Sequence, residues 1–242
     1  MEVIKMKLIF IRHGDPDYTI DSLTEKGVRE AKLLANRVSG WDVNEFYCSP
    51  LGRAKKTASY SLEKMNRSAT TYEWLKEFYY PVTDPTTGIV HVPWDLMPQY
   101  WTTVPKYYDV NHWYESDLYQ KTPEIATAYK EICVGIDEII KKHGYERYQN
   151  YYKVKQHSED TIVIFCHLGV TCVMLGHILG MSPVQLWHNF FLAPTSVTIV
   201  GTEERYEKDA AFRIQVMGDT THLRDGGEPI SEAGYFTSAF QK

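Results

Sequence analysis

Lys7-Leu8-Ile9-Phe10-Ile11-Arg12-His13-Gly14 is the stretch of sequence that decides the fold. Four apolar residues run directly into an arginine, a histidine and a glycine. A short, bounded apolar run predicts a strand buried on both faces, as in a parallel sheet. Because ligands bind at the carboxyl ends of strands in open α/β sheets, Arg12 and His13 are candidates for a binding edge. From this stretch alone, the alternative that they are ordinary loop residues stays open.

Segments with helix and strand patterns alternate along the rest of the chain. Thr24 is the predicted N-cap of a helix that ends at Gly40, and Ser49-Pro50 is predicted to cap and start the next. Thr122-Pro123 likewise opens a helix that stops at Gly144. Further strands are predicted at Val43–Cys48, 161–165, 196–201 and 212–216, with a loop or helix extension at 145–160 and an irregular tail from Gly218. The alternation predicts an α/β fold with a mainly parallel sheet and helices on both faces.

Residues 78–120 break this alternation. They contain five prolines and ten tyrosine or tryptophan residues with little periodicity. Such long irregular segments in compact domains are usually lids or binding loops. We therefore predict one domain, residues 1–242, with an insertion or lid at about 78–120. The alternative is that these aromatic side chains only pack against one another.

Composition limits the class of protein. The net charge is −5 and 43% of the 242 residues are hydrophobic, which is typical of a soluble protein and gives no support for nucleic-acid or membrane partners. The four cysteines lack Cys-x-x-Cys spacing and predict reduced thiols in a cytoplasmic protein. Met1–Lys7 lacks the apolar core of a signal peptide, and no apolar run is long enough to span a membrane. The oligomeric state stays open between monomer and homodimer.

Two predicted buried strands end in a histidine, His13 and His167, and two arginines lie close to strand ends. Arg12 precedes His13, and Arg53 follows another strand. Neighbouring strands would gather these groups, and the planar guanidinium matches phosphate oxygens. A histidine in such a site either holds the anion as a cation or attacks phosphorus as a neutral nucleophile. Glu77 is a candidate acid and base, with a solvated surface glutamate as the alternative.

The sequence lacks the motifs of competing enzyme classes and of metal sites. The sixth position after Cys166 is Cys172, where a Cys-x5-Arg phosphatase needs arginine. Walker A, Gly-x-Gly-x-x-Gly and His-Glu-x-x-His sequences are absent, and the nine histidines show no metal-ligand spacing. We therefore predict no metal and no cofactor.

Five motifs in order resemble the histidine phosphatase superfamily, also called the phosphoglycerate mutase-like family. The matches cover roughly residues 6–77 and 160–201. The segments that carry the resemblance are Leu8-Ile-Phe-Ile-Arg-His-Gly14, Leu23-Thr-x-x-Gly27, Ser49-Pro-Leu-x-Arg-Ala-x-x-Thr-Ala58, Leu75-Lys-Glu77 and Ile162-Val-Ile-Phe-Cys-His-Leu-Gly169, with Ser196-Val-Thr198 similar to a late family strand.

The resemblance implies a three-layer α/β/α sandwich and a metal-independent phosphohistidine mechanism. It implies His13 as the nucleophile and Glu77 as the general acid and then base. It implies a phosphoryl-binding set made of Arg12, Arg53, His167 and the backbone N–H of Leu168.

The function predicted from these observations is hydrolysis of a small phosphorylated metabolite, that is, a phosphomonoesterase. The alternatives are a phosphomutase of the phosphoglycerate mutase type and a non-catalytic module that only binds phosphate groups. Asp15 and Asp17 follow Gly14, where carboxylates would repel additional phosphates. This favours a phosphomonoester over a polyphosphate.

Overall fold

The computed structural model describes residues 5–206 and 208–233. Residues 1–4, part of the segment predicted to lack a signal peptide, lie outside these ranges. Residues 234–242, the end of the tail predicted to be irregular, also lie outside them. The strands are β1 (Lys7–Arg12), β2 (Pro16–Asp17), β3 (Ser22–Leu23), β4 (Glu45–Cys48), β5 (Thr70–Thr71), β6 (Val82–Thr83), β7 (Val90–His91), β8 (Tyr145–Tyr148), β9 (Tyr151–Val154), β10 (Thr161–Cys166), β11 (Val197–Arg205) and β12 (Asp209–Asp219).

The helices are α1 (Glu25–Val38), α2 (Gly52–Met65), α3 (Pro98–Trp101), α4 (Glu124–Lys142), α5 (Leu168–Leu179), α6 (Pro183–Asn189) and α7 (Thr221–Asp225). Short 3₁₀ helices occur at Glu73–Leu75, Pro105–Tyr108, Trp113–Glu115 and Tyr119–Lys121. Among the residues described, no helix is both long enough and apolar enough to cross a membrane.

An eight-stranded sheet with the order β5-β4-β10-β1-β11-β12-β9-β8 forms the middle layer. The pairs β5–β4, β4–β10 and β10–β1 are parallel, and the other four are antiparallel. The α/β class is confirmed, but the prediction of a mainly parallel sheet is wrong because the sheet is mixed. The reason is that β8–β9 and β11–β12 are joined by short turns, and strands joined in this way must run antiparallel.

Each face of the sheet has its own hydrophobic core. Ile9 and Ile11 face a core with α1 and α2, and Leu8 and Phe10 face a larger core with α4, α5 and α6. Residues of one strand alternate between two cores because successive side chains point to opposite faces. The predicted α/β/α layering is therefore confirmed, and β1 is buried on both faces as its apolar run predicts.

The aromatic insertion contributes side chains to the larger core. Tyr107, Trp113 and Tyr119 are almost fully buried, and the Trp113 ring meets Trp187 of α6 edge to face at 5.3 Å. Packing thus accounts for many of its aromatic residues, although Tyr79 is 69% exposed. The assignment of one domain with an insertion or lid stays a prediction.

Of the three predicted helix N-caps, one is confirmed and two are wrong. Thr24 caps α1 as predicted, since its Oγ1 accepts a hydrogen bond from Gly27 N–H at 3.0 Å. The predicted cap at Ser49 is wrong because α2 begins at Gly52 after Leu51. The cap at Thr122 is also wrong, since Pro123 occupies the cap position of α4 and no side chain caps it.

Residues 145–160 were predicted to form a loop or helix extension, and this is wrong for the hairpin β8–β9. Two of its tyrosines are buried because their hydroxyls have partners: Tyr145 donates to Glu204 at 2.6 Å and Tyr152 to Asp137 at 2.8 Å. In the tail, predicted to be irregular, α7 is a short helix.

Candidate active site

Two histidines meet at one edge of the sheet. β1 pairs in parallel with β10, and Arg12 lies in register with Cys166, so His13 and His167 leave neighbouring strands at the same level. Their ring centroids are 5.0 Å apart, and both side chains are almost fully buried. The topology therefore brings together the two predicted histidines.

The His13 ring is fixed in one tautomer. Its Nδ1 lies 2.8 Å from the Gly14 carbonyl oxygen, which only accepts, so Nδ1 carries the proton. The other nitrogen, Nε2, lies 3.4 Å from Arg53 Nε and accepts from it. Burial, together with the charges of Arg12 and Arg53, holds the pKa of His13 well below its usual range. His13 is therefore neutral, with a lone pair on Nε2.

Arg53 reaches this lone pair from the first turn of α2. Its Nη1 donates to Asp21 Oδ1 at 2.6 Å, and its guanidinium lies over the Tyr18 ring at 5.4 Å. Asp21 also accepts from Gly52 N–H at 2.6 Å. The loop that follows β1 thus positions the arginine by an ion pair and by ring contact.

Arg12 and His167 each hold a buried nitrogen that has no hydrogen-bond partner among the described residues, namely Arg12 Nε and His167 Nδ1. Arg12 Nη1 donates to Leu192 O at 2.5 Å, and His167 Nε2 is 2.7 Å from Ser49 Oγ. Burial, with the charges of His13 and both arginines, holds the pKa of His167 well below its usual range. Buried polar nitrogens are normally paired, so two unpaired ones at one sheet edge are candidates for contact with a ligand.

Glu77 lies at the N-terminus of α5. Its Oε1 accepts from Phe78 N–H at 2.9 Å and from Val170 N–H at 3.1 Å. Leu168, the first residue of α5, is half-buried. The first amides of a helix have no partner within the helix, and its N-terminus favours negative charge.

Two electrostatic effects act on Glu77 in opposite directions. Burial raises the pKa of its carboxyl, against the opposing effects of the backbone amides and of the Arg12 charge. All the residues predicted for the site lie around one sheet edge, and burial shifts the pKa of Glu77 in the direction that favours an acid.

Several neighbours of the site were missed from the sequence. Ser49 was read as a helix cap but contacts His167, and Asp21 and Tyr18 were not connected with Arg53. Thr57 Oγ1 accepts from Gly14 N–H at 2.9 Å. Only the position of Ser49 directly after a strand gave a signal, since strand ends form the binding edge.

Within residues 5–206 and 208–233, no group of three or more histidine, cysteine, aspartate or glutamate side chains is arranged to hold a metal ion. Arg12 Nε and His167 Nδ1 are unpaired polar atoms at the site, and the arginine nitrogen, which only donates, suits an anion.

The protein is an α/β/α sandwich in which two arginines, two histidines and a glutamate lie together at one edge of the sheet. The chain belongs to the histidine phosphatase superfamily (branch 1), whose family model matches residues 8–134 and 136–214.

Individual relatives have low sequence identity to this chain or match only part of it. The chain is 25% identical over 232 residues to phosphoserine phosphatase 1 of Hydrogenobacter thermophilus, covering 90% of this chain and 94% of that protein. It is 39% identical over 79 residues to a 2,3-bisphosphoglycerate-dependent phosphoglycerate mutase of Thermoplasma acidophilum, covering 28% of this chain and only 40% of that protein. A phosphoserine phosphatase mutant from Entamoeba histolytica, solved with phosphoserine, superposes with a TM-score of 0.60 at 21% identity, covering 90% and 99% of the two chains.

Proposed function

We propose that the protein is a phosphomonoesterase that hydrolyses a small phosphorylated metabolite through a phosphohistidine on His13. The observation that carries this proposal is the fixed tautomer of His13. Its Nδ1–H is engaged by Gly14 O at 2.8 Å, and its Nε2 lone pair lies beside Arg53. A neutral, oriented imidazole among guanidinium groups is suited to attack phosphorus.

In the first step, His13 Nε2 forms a bond to phosphorus as the bond from phosphorus to the ester oxygen breaks. Glu77, whose pKa is raised by burial, gives a proton from its carboxyl group to the departing oxygen. Arg12, Arg53 and His167, with the Leu168 N–H, stabilise the charge on the phosphoryl oxygens. The alcohol leaves and the phosphoryl group stays on nitrogen.

In the second step, the Glu77 carboxylate accepts a proton from water, and the water oxygen attacks phosphorus. The bond between phosphorus and His13 Nε2 breaks, which releases inorganic phosphate and restores the neutral ring. Glu77 is protonated again and ready for the next cycle. The protons balance without a metal ion, in agreement with the metal independence that we propose.

The substrate class is inferred from relatives and from the surroundings of the site. The matched phosphoserine phosphatase acts on a small phosphate monoester, according to its name. The insertion reaches the site at Trp94, since a Cβ added at Gly169 would meet both the Trp94 ring and Glu77 Oε1. We propose that residues 78–120 cap the site and select the leaving group.

The environment of the protein is part of the proposal. The four cysteines are free, and Cys48, Cys166 and Cys172 are buried thiols, which supports a reducing compartment such as the cytoplasm. Neither a nucleic acid nor a membrane is required as a partner.

The test is release of inorganic phosphate from 4-nitrophenyl phosphate by the full chain, with and without a chelator. We expect activity that survives the chelator and is lost in His13→Ala. Rapid acid-free quenching should trap one phosphoryl group per wild-type chain and none in the variant. Full activity in His13→Ala would contradict the proposal.

Two other functions give different results in the same experiments. A phosphomutase would interconvert phosphoglycerates in the presence of a bisphosphate primer, and the short match to a phosphoglycerate mutase makes this worth measuring. A non-catalytic module would bind phosphate tightly but give no trapped phosphohistidine.

A further inference from the structure

A single peptide group connects the proposed nucleophile to a buried carboxylate. At one end, the Gly14 carbonyl accepts from His13 Nδ1–H at 2.8 Å. At the other end of the same peptide, Asp15 N–H donates to Glu30 Oε2 at 2.8 Å. Because a peptide group is planar and polarises as a unit, its two hydrogen bonds are coupled.

Glu30 is an unusual helix residue. Its side chain on α1 is fully buried, which is rare for a glutamate without a close partner. The nearest cation is Lys26, whose Nζ is 3.7 Å from Oε1 and also contacts Glu228 at 3.0 Å. Oε1 has no hydrogen-bond partner among the residues described. The short contact of this carboxylate is therefore the one with the Asp15 amide.

The two residues that form the connecting peptide, Gly14 and Asp15, are held from two sides. Gly14 N–H donates to Thr57 Oγ1 of α2 at 2.9 Å. On the α1 side, a Cβ added at Gly27 would overlap the Asp15 carbonyl oxygen and lie 2.9 Å from the Asp15 nitrogen. The backbone of the loop thus lies directly against both helices. This close packing keeps the peptide between His13 and Glu30 in one orientation.

We propose that Glu30 is a positioning residue that acts on His13 through the Gly14–Asp15 peptide. This proposal rests on the proposed function. When Nε2 bonds to phosphorus, the ring keeps its Nδ1 proton and gains positive charge. The Glu30 carboxylate polarises the peptide, which strengthens the acceptor at Gly14 and stabilises that charge. No proton moves along the connection.

The charge of Glu30 responds to pH near neutrality. Burial raises the pKa of Glu30 to about 7, opposed by the Asp15 amide and by Lys26 and assisted by the Asp15 and Glu228 carboxylates. These groups come from α1, from the loop after β1 and from the C-terminal segment, and Arg12 on β1 also interacts with it. Phosphorylation of His13 should therefore accelerate as pH rises through about 7.

The first test is the single-turnover rate of phosphohistidine formation from 4-nitrophenyl phosphate between pH 5.5 and 8.5. Glu30→Gln keeps the side-chain shape and an acceptor for Asp15 N–H but removes the charge. Since charge-assisted hydrogen bonds are roughly twice as strong as neutral ones, we expect about a tenfold lower rate at pH 8. The rise in rate near pH 7 should be absent from the variant. KM should be unchanged, and the rates of the two enzymes should be equal at pH 5.5. Glu25→Gln, on an exposed position of the same helix, is the matched control.

A wild-type rate and pH limb in Glu30→Gln would overturn the proposal, as would a loss of equal size at every pH, which would indicate an anchor for the loop only. A second measurement works even if the variant does not fold. In the wild-type chain labelled with ¹⁵N-histidine, the His13 Nδ1 resonance should shift with a midpoint near pH 7, although His13 and His167 stay neutral there. A flat titration would also overturn the proposal. If the wild type releases no phosphate at all, the proposed function fails, while this titration still reports the coupling.

Discussion

Gly169→Ala tests whether Glu77 acts as the general acid. A Cβ at Gly169 would lie 2.7 Å from Glu77 Oε1 and would also overlap the Trp94 ring. To reach ordinary contact at 3.4 Å, the carboxylate oxygen would move by about 0.7 Å. A shift of this size would distort the hydrogen bonds that the oxygen accepts from Phe78 N–H and Val170 N–H. The substitution thus displaces the proposed acid and leaves His13 in place.

The size of the effect follows from this displacement. Misplacing a reacting group by about 1 Å can reduce the rate by about 100-fold. We expect the single-turnover rate of phosphohistidine formation from a phosphate ester of an aliphatic alcohol, whose oxygen must be protonated as it leaves, to fall by about 10- to 100-fold. For 4-nitrophenyl phosphate, whose phenolate leaves unprotonated, the fall should be several times smaller. Overpacking should also cost about 1–3 kcal/mol of unfolding free energy.

The assay compares the two substrates under single-turnover conditions, with the unfolding free energy measured by urea denaturation. Gly40→Ala is the control, because the nearest atom to its added Cβ is Arg37 O at an ordinary 3.5 Å. An equal loss for both substrates in a folded Gly169→Ala protein would refute the assignment of Glu77 as the acid. So would an unchanged single-turnover rate of phosphohistidine formation from the aliphatic ester.

Three further substitutions test other parts of the structure. Ser49→Ala removes the hydroxyl 2.7 Å from His167 Nε2 and leaves a buried nitrogen unpaired, so we expect a loss of about 1–3 kcal/mol in urea denaturation and weaker inhibition by vanadate. Asp21→Asn removes a negative charge beside Arg53 and should lower KM about two- to threefold at low salt, with the difference shrinking as salt is added. Leu34→Ala, in the smaller core, should cost about 2–5 kcal/mol but leave kcat per folded molecule unchanged, and a lower kcat would contradict the separation of that core from the site.

The sequence was most informative where the signal is local and repeated. The apolar runs of β1 and β10 predicted strands buried on both faces, and both strands are. The convergence of His13, His167 and Arg53 followed from topology, since β1, β10 and β4 are parallel neighbours whose ends share an edge. The preference of threonine for the N-cap position also placed Thr24 correctly at the start of α1.

Prediction failed where a residue serves a partner distant in the chain. Ser49 satisfies the local rule for a helix cap, but it contacts His167, 118 residues away. The hairpin of β8 and β9 is not predicted because its tyrosines give the segment a polar pattern. Two of them are buried only because their hydroxyls donate to Glu204 and Asp137. In both cases the partner, and not the segment itself, decides the structure.

The position of Glu30 in the sequence indicates that its side chain is buried. It lies three residues after Gly27 and four before Leu34, which places it on the buried stripe of α1. A charged residue on an apolar stripe is an informative exception, because burial of a carboxylate costs free energy unless a partner compensates. Here the partner is the backbone amide of Asp15, which no side-chain pattern reveals.

The residues after Gly14 change the argument about substrate charge. Asp15 accepts from Thr24 Oγ1 at 2.6 Å and from the Ser231 hydroxyl, and Asp17 accepts from the hydroxyl of Thr19 at 2.6 Å. Both carboxylates therefore stabilise their own loop, so repulsion of a second phosphate is a weak basis for choosing a substrate. The side chain of this loop that lies over Arg53 is Tyr18, which is 68% exposed. At this edge, Arg53 is thus contacted by both an aromatic ring, that of Tyr18, and a carboxylate, that of Asp21.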